Sequence, residues 1–314
     1  MRILLVAVLA TAIAGCTGSS GVDVLKIEPS SEITSSIGGR PVPSAPIGGD
    51  DRLVGTERQG VIAAQVAFAP PEASISRSKS KQPKVYRQRF GDAKPVRFKG
   101  GAPHPFQVHG VDVSRWQGDI NWHVLRRQGA NFAYIKATEG GDHLDPMFKR
   151  NWNAAANAGI PRGAYHFFYW CRPGHEQSAW FIRNVPKAKG ALPPVLDVEW
   201  NSYSRSCPKR PSRAVVLKKM QVFLDDLEQH YGQKPVIYTT PDFYRDNLRG
   251  QFTGHSFWLR SVKAHPSELY PGRKWAFWQY SGTGLSKGVE GHIDLNVFNG
   301  TEQGWHDWLS RRTH

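Results

Sequence analysis

Residues 193–200 read Pro-Pro-Val-Leu-Asp-Val-Glu-Trp, and they predict a buried β-strand that ends in two carboxylates. Side chains two positions apart on a strand point to the same face, so Asp197 and Glu199 are expected to project side by side. Neighbouring carboxyl groups in a partly dry site have pKa values that move apart, which suits acid-assisted cleavage of a glycosidic bond. The same short motif also occurs where a strand simply continues into a solvated loop.

Strands and helices alternate around this stretch. Apolar runs predict strands at residues 108–113, 132–137, 163–168, 195–199 and 235–240, and helical patterns separate them at 121–128, 145–158, 174–184 and 212–231. Three further strands, at 256–260, 275–280 and 292–298, follow without clear helices between them. The alternation predicts a parallel sheet with right-handed crossovers, and eight strands indicate a closed α/β barrel of the triosephosphate-isomerase type that has lost its later helices.

Acidic residues follow the predicted strands. Asp112, Glu139, Asp197 and Glu199 stand at strand ends, and Asp294 lies in the last strand. Chemistry in such barrels occurs at the C-terminal ends of the strands. The pattern therefore predicts that these carboxylates converge on one face of the barrel and form a site.

A series of short motifs extends through the same region. They are Gly-Val-Asp-Val-Ser at 110–114, Trp-Gln-Gly at 116–118, Phe-Ala-Tyr-Ile-Lys-Ala-Thr-Glu-Gly at 132–140, Gly-Ala-Tyr-His-Phe at 163–167, Pro-Val-Leu-Asp-Val-Glu at 194–199, Phe-Trp-Leu at 257–259, Trp-Gln-Tyr-Ser at 278–281 and Ile-Asp-Leu-Asn at 293–296. In this order and spacing, the chain resembles the glycoside hydrolase family 25 lysozymes of the Chalaropsis type. The resemblance covers about residues 108–300, which is the whole predicted globular part.

The resemblance implies a flattened barrel of eight strands and about five helices. It also implies an N-acetylmuramidase that hydrolyses the β-1,4 bond between N-acetylmuramic acid and N-acetylglucosamine in peptidoglycan, without a metal or cofactor. By the same resemblance Glu199 is the general acid, Asp197 is the second essential carboxylate, and Asp112 and Asp294 line the site. Cleavage is expected to be retaining and assisted by the substrate's own acetamido group, which Asp197 orients.

Two expectations follow for the site. Asp197 stays ionised and keeps Glu199 protonated near neutral pH. The substrate-binding residues are Glu139, as a partner of the catalytic groups, and four aromatic residues that offer flat faces to sugar rings. These aromatic residues are Tyr165, Trp200, Trp258 and Trp278. Each aromatic residue also has an alternative role in the core, because burial is common for such side chains.

The first sixteen residues predict export. Arg2 precedes an apolar run at 3–14, which is too short to span a bilayer comfortably, and Gly15 precedes Cys16. This pattern resembles a bacterial lipoprotein signal peptide at 1–15 with lipidation at Cys16. Thr17 then favours the outer membrane, facing the periplasm, if the cell is Gram-negative. The alternative is an ordinary signal peptide that leaves Cys16 as a free thiol.

Residues 16–106 predict a flexible tether, because they are rich in Ser, Gly, Pro and Ala and strongly basic from 76 to 99. All the tryptophans lie between Trp116 and Trp308, which places the folded domain at 107–314. The alternative to an enzyme is a non-catalytic, peptidoglycan-binding envelope lipoprotein. Cys171 and Cys207 remain after Cys16 and favour one disulfide in an oxidising compartment, although two separate thiols are also consistent with the sequence.

The net charge of +15 favours anionic partners. The sequence contains no zinc-finger spacing, RNA-binding signature or phosphate-binding loop, so nucleic acid is not an expected partner. The expected partners are peptidoglycan glycan strands and, through the lipid, a membrane. The domain is expected to be a monomer.

Overall fold

A computed structural model of the chain describes residues 82–202, 204 and 206–312. The signal peptide predicted at 1–15, the lipidation predicted at Cys16 and the tether up to residue 81 lie outside the described residues. The strands are β1 (Gly91–Asp92), β2 (His109–Val113), β3 (Ala133–Glu139), β4 (His143–Leu144), β5 (Arg162–Phe167), β6 (Val195–Val198), β7 (Val236–Thr239), β8 (Ser256–Arg260), β9 (Phe277–Leu285) and β10 (Ile293–Phe298).

Eight of these strands close into a barrel in the order β2-β3-β5-β6-β7-β8-β9-β10. Neighbours from β2 to β9 are parallel, whereas β10 is antiparallel to both β9 and β2. The barrel and its eight strands are confirmed, but the prediction of a wholly parallel sheet is wrong for β10. Residues 286–292, which join β9 to β10, are too few for a crossover, so the chain turns back directly.

The helices of the described residues are α1 (Trp122–Arg127), α2 (Phe148–Asn157), α3 (Gly174–Asn184), α4 (Arg213–Tyr231), α5 (Pro241–Phe243), α6 (Pro266–Leu269) and α7 (Glu302–Arg312). The first four were predicted, whereas the sequence pattern did not indicate α5, α6 or α7. α4 ends at Gly232, which adopts the left-handed conformation that glycine allows (φ 67°). Within the part of the chain that the structure describes, no helix combines the length and apolar character needed to cross a membrane.

Two apolar clusters lie on opposite faces of the barrel wall. Outward-facing strand residues such as Ile135 and Leu196 pack with helix residues such as Phe223. Inward-facing residues such as Phe132 and Phe277 form the second cluster together with α7. Trp305 of α7 packs 5.5 Å from Phe132 between ring centroids, so this helix closes the end of the barrel at which the parallel strands begin.

Residues 82–106 pack along the outside of the barrel, and we call this segment the strap. The backbone N–H of Tyr86 donates to Asn131 Oδ1 at 2.7 Å, and β1 pairs with the end of β9. Phe98 lies edge-on to Trp278 with 4.9 Å between ring centroids. The structure therefore differs from the tether predicted over 16–106. Residues 82–106 belong to the folded unit, because their apolar side chains cover the outer face of β9.

Candidate active site

The structure brings the four predicted carboxylates together at one end of the barrel, which we call the mouth. Asp112 and Asp294 are directly paired across β2 and β10. Asp197 and Glu199 extend from the end of β6, and the charges of Glu199 and Asp112 both raise the pKa of Asp197. Strand alternation explains the arrangement, because residues two apart share the inward face.

Asp112 is held by two side-chain amides. Its Oδ2 atom accepts hydrogen bonds from Gln279 Nε2 at 2.9 Å and from Asn296 Nδ2 at 2.7 Å. Burial raises the pKa of Asp112 to about 6, although these two hydrogen bonds oppose the shift. Each amide oxygen in turn accepts a hydrogen bond from a side chain deeper in the barrel. Tyr238 Oη donates to Gln279 Oε1 at 2.8 Å, and Trp258 Nε1 donates to Asn296 Oδ1 at 2.8 Å. The two aromatic donors therefore orient the amide N–H groups toward Asp112.

Asp197 and Glu199 differ in exposure. Asp197 is buried, with 4% of its surface exposed, whereas Glu199 is half-buried at the mouth. Burial raises the pKa of Glu199 to about 7, and burial followed by repulsion from Glu199 raises the pKa of Asp197 well above its usual value. Among the described residues, Asp197 Oδ1 and Glu199 Oε1 have no hydrogen-bond partner. The pair therefore retains a proton near neutral pH and has acceptor atoms available for a substrate.

The expected division of the proton between Asp197 and Glu199 stays a prediction. Burial raises the pKa of both carboxyl groups, and the charge of Glu199 adds to the upward shift of the more deeply buried Asp197. The spacing of two residues in the sequence does not reveal this burial.

Two buried cations accompany the carboxylates, and the sequence analysis missed both. Arg260, at the end of β8, lowers the pKa of Glu199 by its positive charge, and Lys136 of β3 lowers that of Asp197. Lys136 forms an ion pair with Glu139 Oε2, and Tyr169 Oη donates to Glu139 Oε1 at 2.7 Å. Burial alone would raise the pKa of Glu139, but Lys136, the Tyr169 hydroxyl and His143 together outweigh it, so the pKa is lowered. Both cations could have been found in the sequence, because Lys136 and Arg260 are charged residues at inward-facing positions of otherwise apolar strands.

Glu139 contacts Lys136 beside the carboxylates, and its role in substrate binding stays a prediction. Glu139 has only 6% of its surface exposed. It is held by protein groups on both oxygens, so it fits a partner of the site residues better than a direct sugar ligand.

Three of the four predicted aromatic platforms are buried. Trp278 is fully buried and points outward, where it packs under the strap and donates from Nε1 to the Ser261 carbonyl at 2.8 Å. Trp258 is 2% exposed and stacks on Tyr134 at 5.0 Å inside the barrel, and Tyr165 is 4% exposed beside it. Strand alternation places these side chains in the two cores, and their role as sugar-stacking faces stays a prediction.

The exposed aromatic surface of the mouth comes from two other places. Trp200, the fourth predicted platform, is half-buried next to Glu199. Trp116 follows β2 in the turn of 3₁₀ helix at Arg115–Gln117 and is 52% exposed, with the Arg115 guanidinium 4.5 Å above its ring. No sequence pattern indicated Trp116 as a site residue. Its position directly after β2, the strand that carries Asp112, could have indicated that it lies near the site.

The disulfide between Cys171 and Cys207 is confirmed, with 5.5 Å between their Cα atoms. It joins the chain that follows β5 to the loop that follows β6. Trp170 Nε1, next to Cys171, donates to the Glu199 carbonyl at 2.7 Å. These two links fix the backbone around Glu199 at the mouth.

A closed barrel with paired carboxylates at the carboxyl ends of its strands defines the class of barrel glycosidases. Comparison with known proteins identifies the family. Residues 111–289 match the model of "Glycosyl hydrolases family 25", so the chain belongs to that family. Asp294 lies beyond the matched segment.

Individual relatives agree with this assignment. The chain is 38% identical over 223 residues to the uncharacterized protein YegX of Escherichia coli O157:H7, covering 68% of this chain and 78% of that protein. It is also 38% identical over 213 residues to Lysozyme M1 of Streptomyces globisporus, covering 62% of this chain and 68% of that protein. A solved family 25 glycosyl hydrolase from Bacillus anthracis superimposes with a TM-score of 0.62 at 40% identity, covering 69% of this chain and 99% of that one.

Proposed function

We propose that the protein is a peptidoglycan muramidase that hydrolyses the β-1,4 bond between N-acetylmuramic acid and N-acetylglucosamine. The observation that carries the proposal is the Asp197–Glu199 pair at the barrel mouth, where burial raises both pKa values. Family membership and the similarity to Lysozyme M1 support the same substrate.

In the proposed mechanism Glu199 is the general acid. It is the half-buried member of the pair and can reach the glycosidic oxygen at the mouth, whereas Asp197 lies deeper. The acid must hold a proton at the working pH, and burial raises the pKa of Glu199 to about 7, which meets that requirement. Protonation of the leaving oxygen then assists cleavage of the bond.

Asp197 is proposed to orient the acetamido group of the substrate. When the 2-acetamido group of the muramic residue attacks its own anomeric carbon, the acetamido N–H needs an acceptor, and Asp197 Oδ1 is available. The C1–O bond to the leaving sugar breaks as the acetamido oxygen bonds to C1, and water that Glu199 deprotonates then opens this cyclic intermediate. The two displacements at C1 together retain the anomeric configuration. Lys136 supplies positive charge that favours the ionised form of Asp197 as the N–H approaches. Asp112 and Asp294, paired across β2 and β10, are the other two carboxylates that line the mouth.

The test uses Glu199→Gln, with Glu228→Gln on the outer helix α4 as a matched control. Release of reducing ends from purified peptidoglycan is measured for the full chain. We expect kcat of Glu199→Gln to fall by about 10²- to 10⁴-fold, the range for loss of a general acid, and the control to match wild type. If wild type binds glycan strands but releases no reducing ends, the protein is the non-catalytic binding lipoprotein instead.

We further propose that the protein is exported, lipid-anchored at Cys16 and monomeric. The apolar run before Cys16 supports the anchor, and a disulfide within the barrel domain fits an oxidising compartment. Mass spectrometry of the N-terminal peptide from cells should show an acylated Cys16, and Cys16→Ser should move the protein from the membrane to the soluble fraction. An unmodified Cys16 would contradict the anchor.

A further inference from the structure

The loop between β6 and α4, described at residues 199–202, 204 and 206–212, forms one side of the mouth. We call it the mouth loop. Two contacts hold described residues of this loop: the Cys171–Cys207 disulfide, and a hydrogen bond that Trp200 Nε1 donates to Asp246 Oδ2 at 2.8 Å. These contacts position Trp200 and Cys207 in the loop that follows Glu199.

Arg210 of the mouth loop covers the ring that the sequence analysis assigned to sugar stacking. Its guanidinium carbon lies 5.1 Å from the centroid of the Trp200 ring, and its Nη2 donates to Ser202 Oγ at 2.6 Å. The edges of the same indole pack against Phe243 and Trp170. A ligand that approaches Trp200 from the side of Arg210 consequently meets a guanidinium and not an open aromatic face.

The charge of Arg210 is available to a ligand. Its side chain is exposed, and within the described part of the chain it forms no ion pair with a carboxylate. Stacking on Trp200 and the bond to Ser202 hold the planar group in place, which lowers the entropy lost when it binds. A guanidinium with free N–H groups is suited to a carboxylate, which it can bind through two parallel hydrogen bonds.

We propose that Arg210 binds the carboxylate carried by the substituent on O3 of a muramic acid residue, and so makes the enzyme selective for acidic glycan strands. This inference rests on the proposed muramidase function. N-acetylglucosamine is neutral, whereas the lactyl group of muramic acid ends in a carboxyl that is either free or joined to a peptide with carboxylates of its own. Both sources present the same carboxylate chemistry to Arg210. Arg210 stacks on Trp200, which is the residue that follows the acid Glu199 in the chain.

The test compares three glycan preparations with the full-length protein: strands stripped of peptide with free lactyl carboxylates, the same strands with those carboxyls converted to neutral amides, and strands that keep their peptides. KM and kcat are measured for wild type, Arg210→Gln and Arg210→Lys. Arg127→Gln is the matched control, because Arg127 is an exposed arginine at the end of α1, far along the barrel from the mouth.

For Arg210→Gln we expect KM on the stripped acidic strands to rise about tenfold or more with kcat unchanged, since a hydrogen bond to a charged group contributes at least this much. Arg210→Lys should give an intermediate KM, because the charge remains but the paired donors are lost. On neutral amide strands, wild type and Arg210→Gln should have the same KM. A rise on peptide-bearing strands only would identify the peptide, and not the lactyl group, as the source of the carboxylate.

Equal losses on acidic and neutral strands, or no difference between Arg210→Gln and Arg127→Gln, would overturn the inference. A wild-type protein that cleaves none of the preparations contradicts the proposed function and not the role of Arg210. In that case calorimetric binding to the same strands decides: Arg210→Gln should weaken binding to acidic strands alone, and equal binding to all of them would refute the role.

Discussion

The two ends of the barrel interior are built from the same strands but differ in chemistry. At the closed end, Phe132, Phe277 and Trp305 pack together with almost no exposed surface. At the mouth, a few residues further along the strands, Asp112, Asp197 and the buried cations occupy the inward positions. The closed end gains stability from apolar burial, whereas the mouth holds charged groups whose burial is costly.

The layer between the ends shows how one barrel accommodates both. Gln279 and Asn296 accept hydrogen bonds from Tyr238 and Trp258 below, and they donate to Asp112 above. Each amide thus satisfies an aromatic donor in the core and a carboxylate in the site. The rigid aromatic end therefore positions the mouth through a few fixed hydrogen bonds.

The largest expected effect is at the closed end. Phe132→Ala should lower the free energy of unfolding by about 3–5 kcal/mol, the cost of emptying a packed aromatic site. Denaturant titration measures this change. The pH dependence of activity of the remaining folded protein should be that of wild type, because Phe132 touches no catalytic group. A shifted pH profile would show that the two ends are not separable in this way.

A second prediction concerns how burial of the Glu199 carboxyl at the mouth changes the free energy of unfolding with pH. Burial raises the pKa of Glu199 from 4.5 to about 7, so between these values the folded protein holds a proton that the unfolded chain releases. This contribution to stability is complete below the unfolded pKa and is lost as pH rises through the folded pKa. Glu199→Gln should therefore be more stable than wild type above pH 7, by about 2 kcal/mol for a partly exposed group, and equal to it near pH 4. Denaturation at both pH values measures this, and a variant less stable at high pH would contradict the account.

A third prediction uses the cation of the mouth. Arg260 lowers the pKa of Glu199, so Arg260→Gln should raise that pKa and move the alkaline limb of the kcat/KM profile upward by about one pH unit. Arg260→Lys keeps the charge and should leave the limb close to that of wild type. A shift of the limb in both variants would mean that geometry, and not charge, is what Arg260 supplies.

The smallest expected effect is in the layer between the ends. Tyr238→Phe removes the donor to Gln279 Oε1 and should lower the free energy of unfolding by about 1 kcal/mol. Because the amide is then free to rotate away from Asp112, kcat/KM should also fall by a few-fold. Thermal unfolding and initial rates measure the two effects. Lost stability with unchanged kcat/KM would show that Tyr238 does not position the site.

Much of the barrel was predictable because apolar strands and amphipathic helices have a clear period in the sequence. The strands at 195–199 and 256–260 and the helix at 212–231 lie within a residue of their observed bounds at most ends. The antiparallel β10 and the helix α7 were not predicted, since the direction of a strand and the docking of a terminal helix depend on contacts distant in the sequence. The strap was also missed, because its few apolar residues lie among basic and turn-forming ones.

The site was predictable where residue type alone indicates chemistry. Asp112, Asp197, Glu199 and Asp294 meet at the mouth as expected. The burial of the aromatic residues was not predictable from the sequence. Trp278 and Trp258 occupy strands that alternate between two buried faces, and composition does not show which face binds a ligand. Trp116 lies on a short turn beyond a strand, and 52% of its surface is exposed among the residues that the structure describes.

The most direct test of the central claim, that the Asp197–Glu199 pair cuts the bond after muramic acid, is mass spectrometry of borohydride-reduced products from digested peptidoglycan. We expect wild type to yield disaccharide fragments whose reduced end is derived from N-acetylmuramic acid, and Glu199→Gln to yield almost none. Fragments with reduced N-acetylglucosamine, or equal product from both proteins, would contradict it.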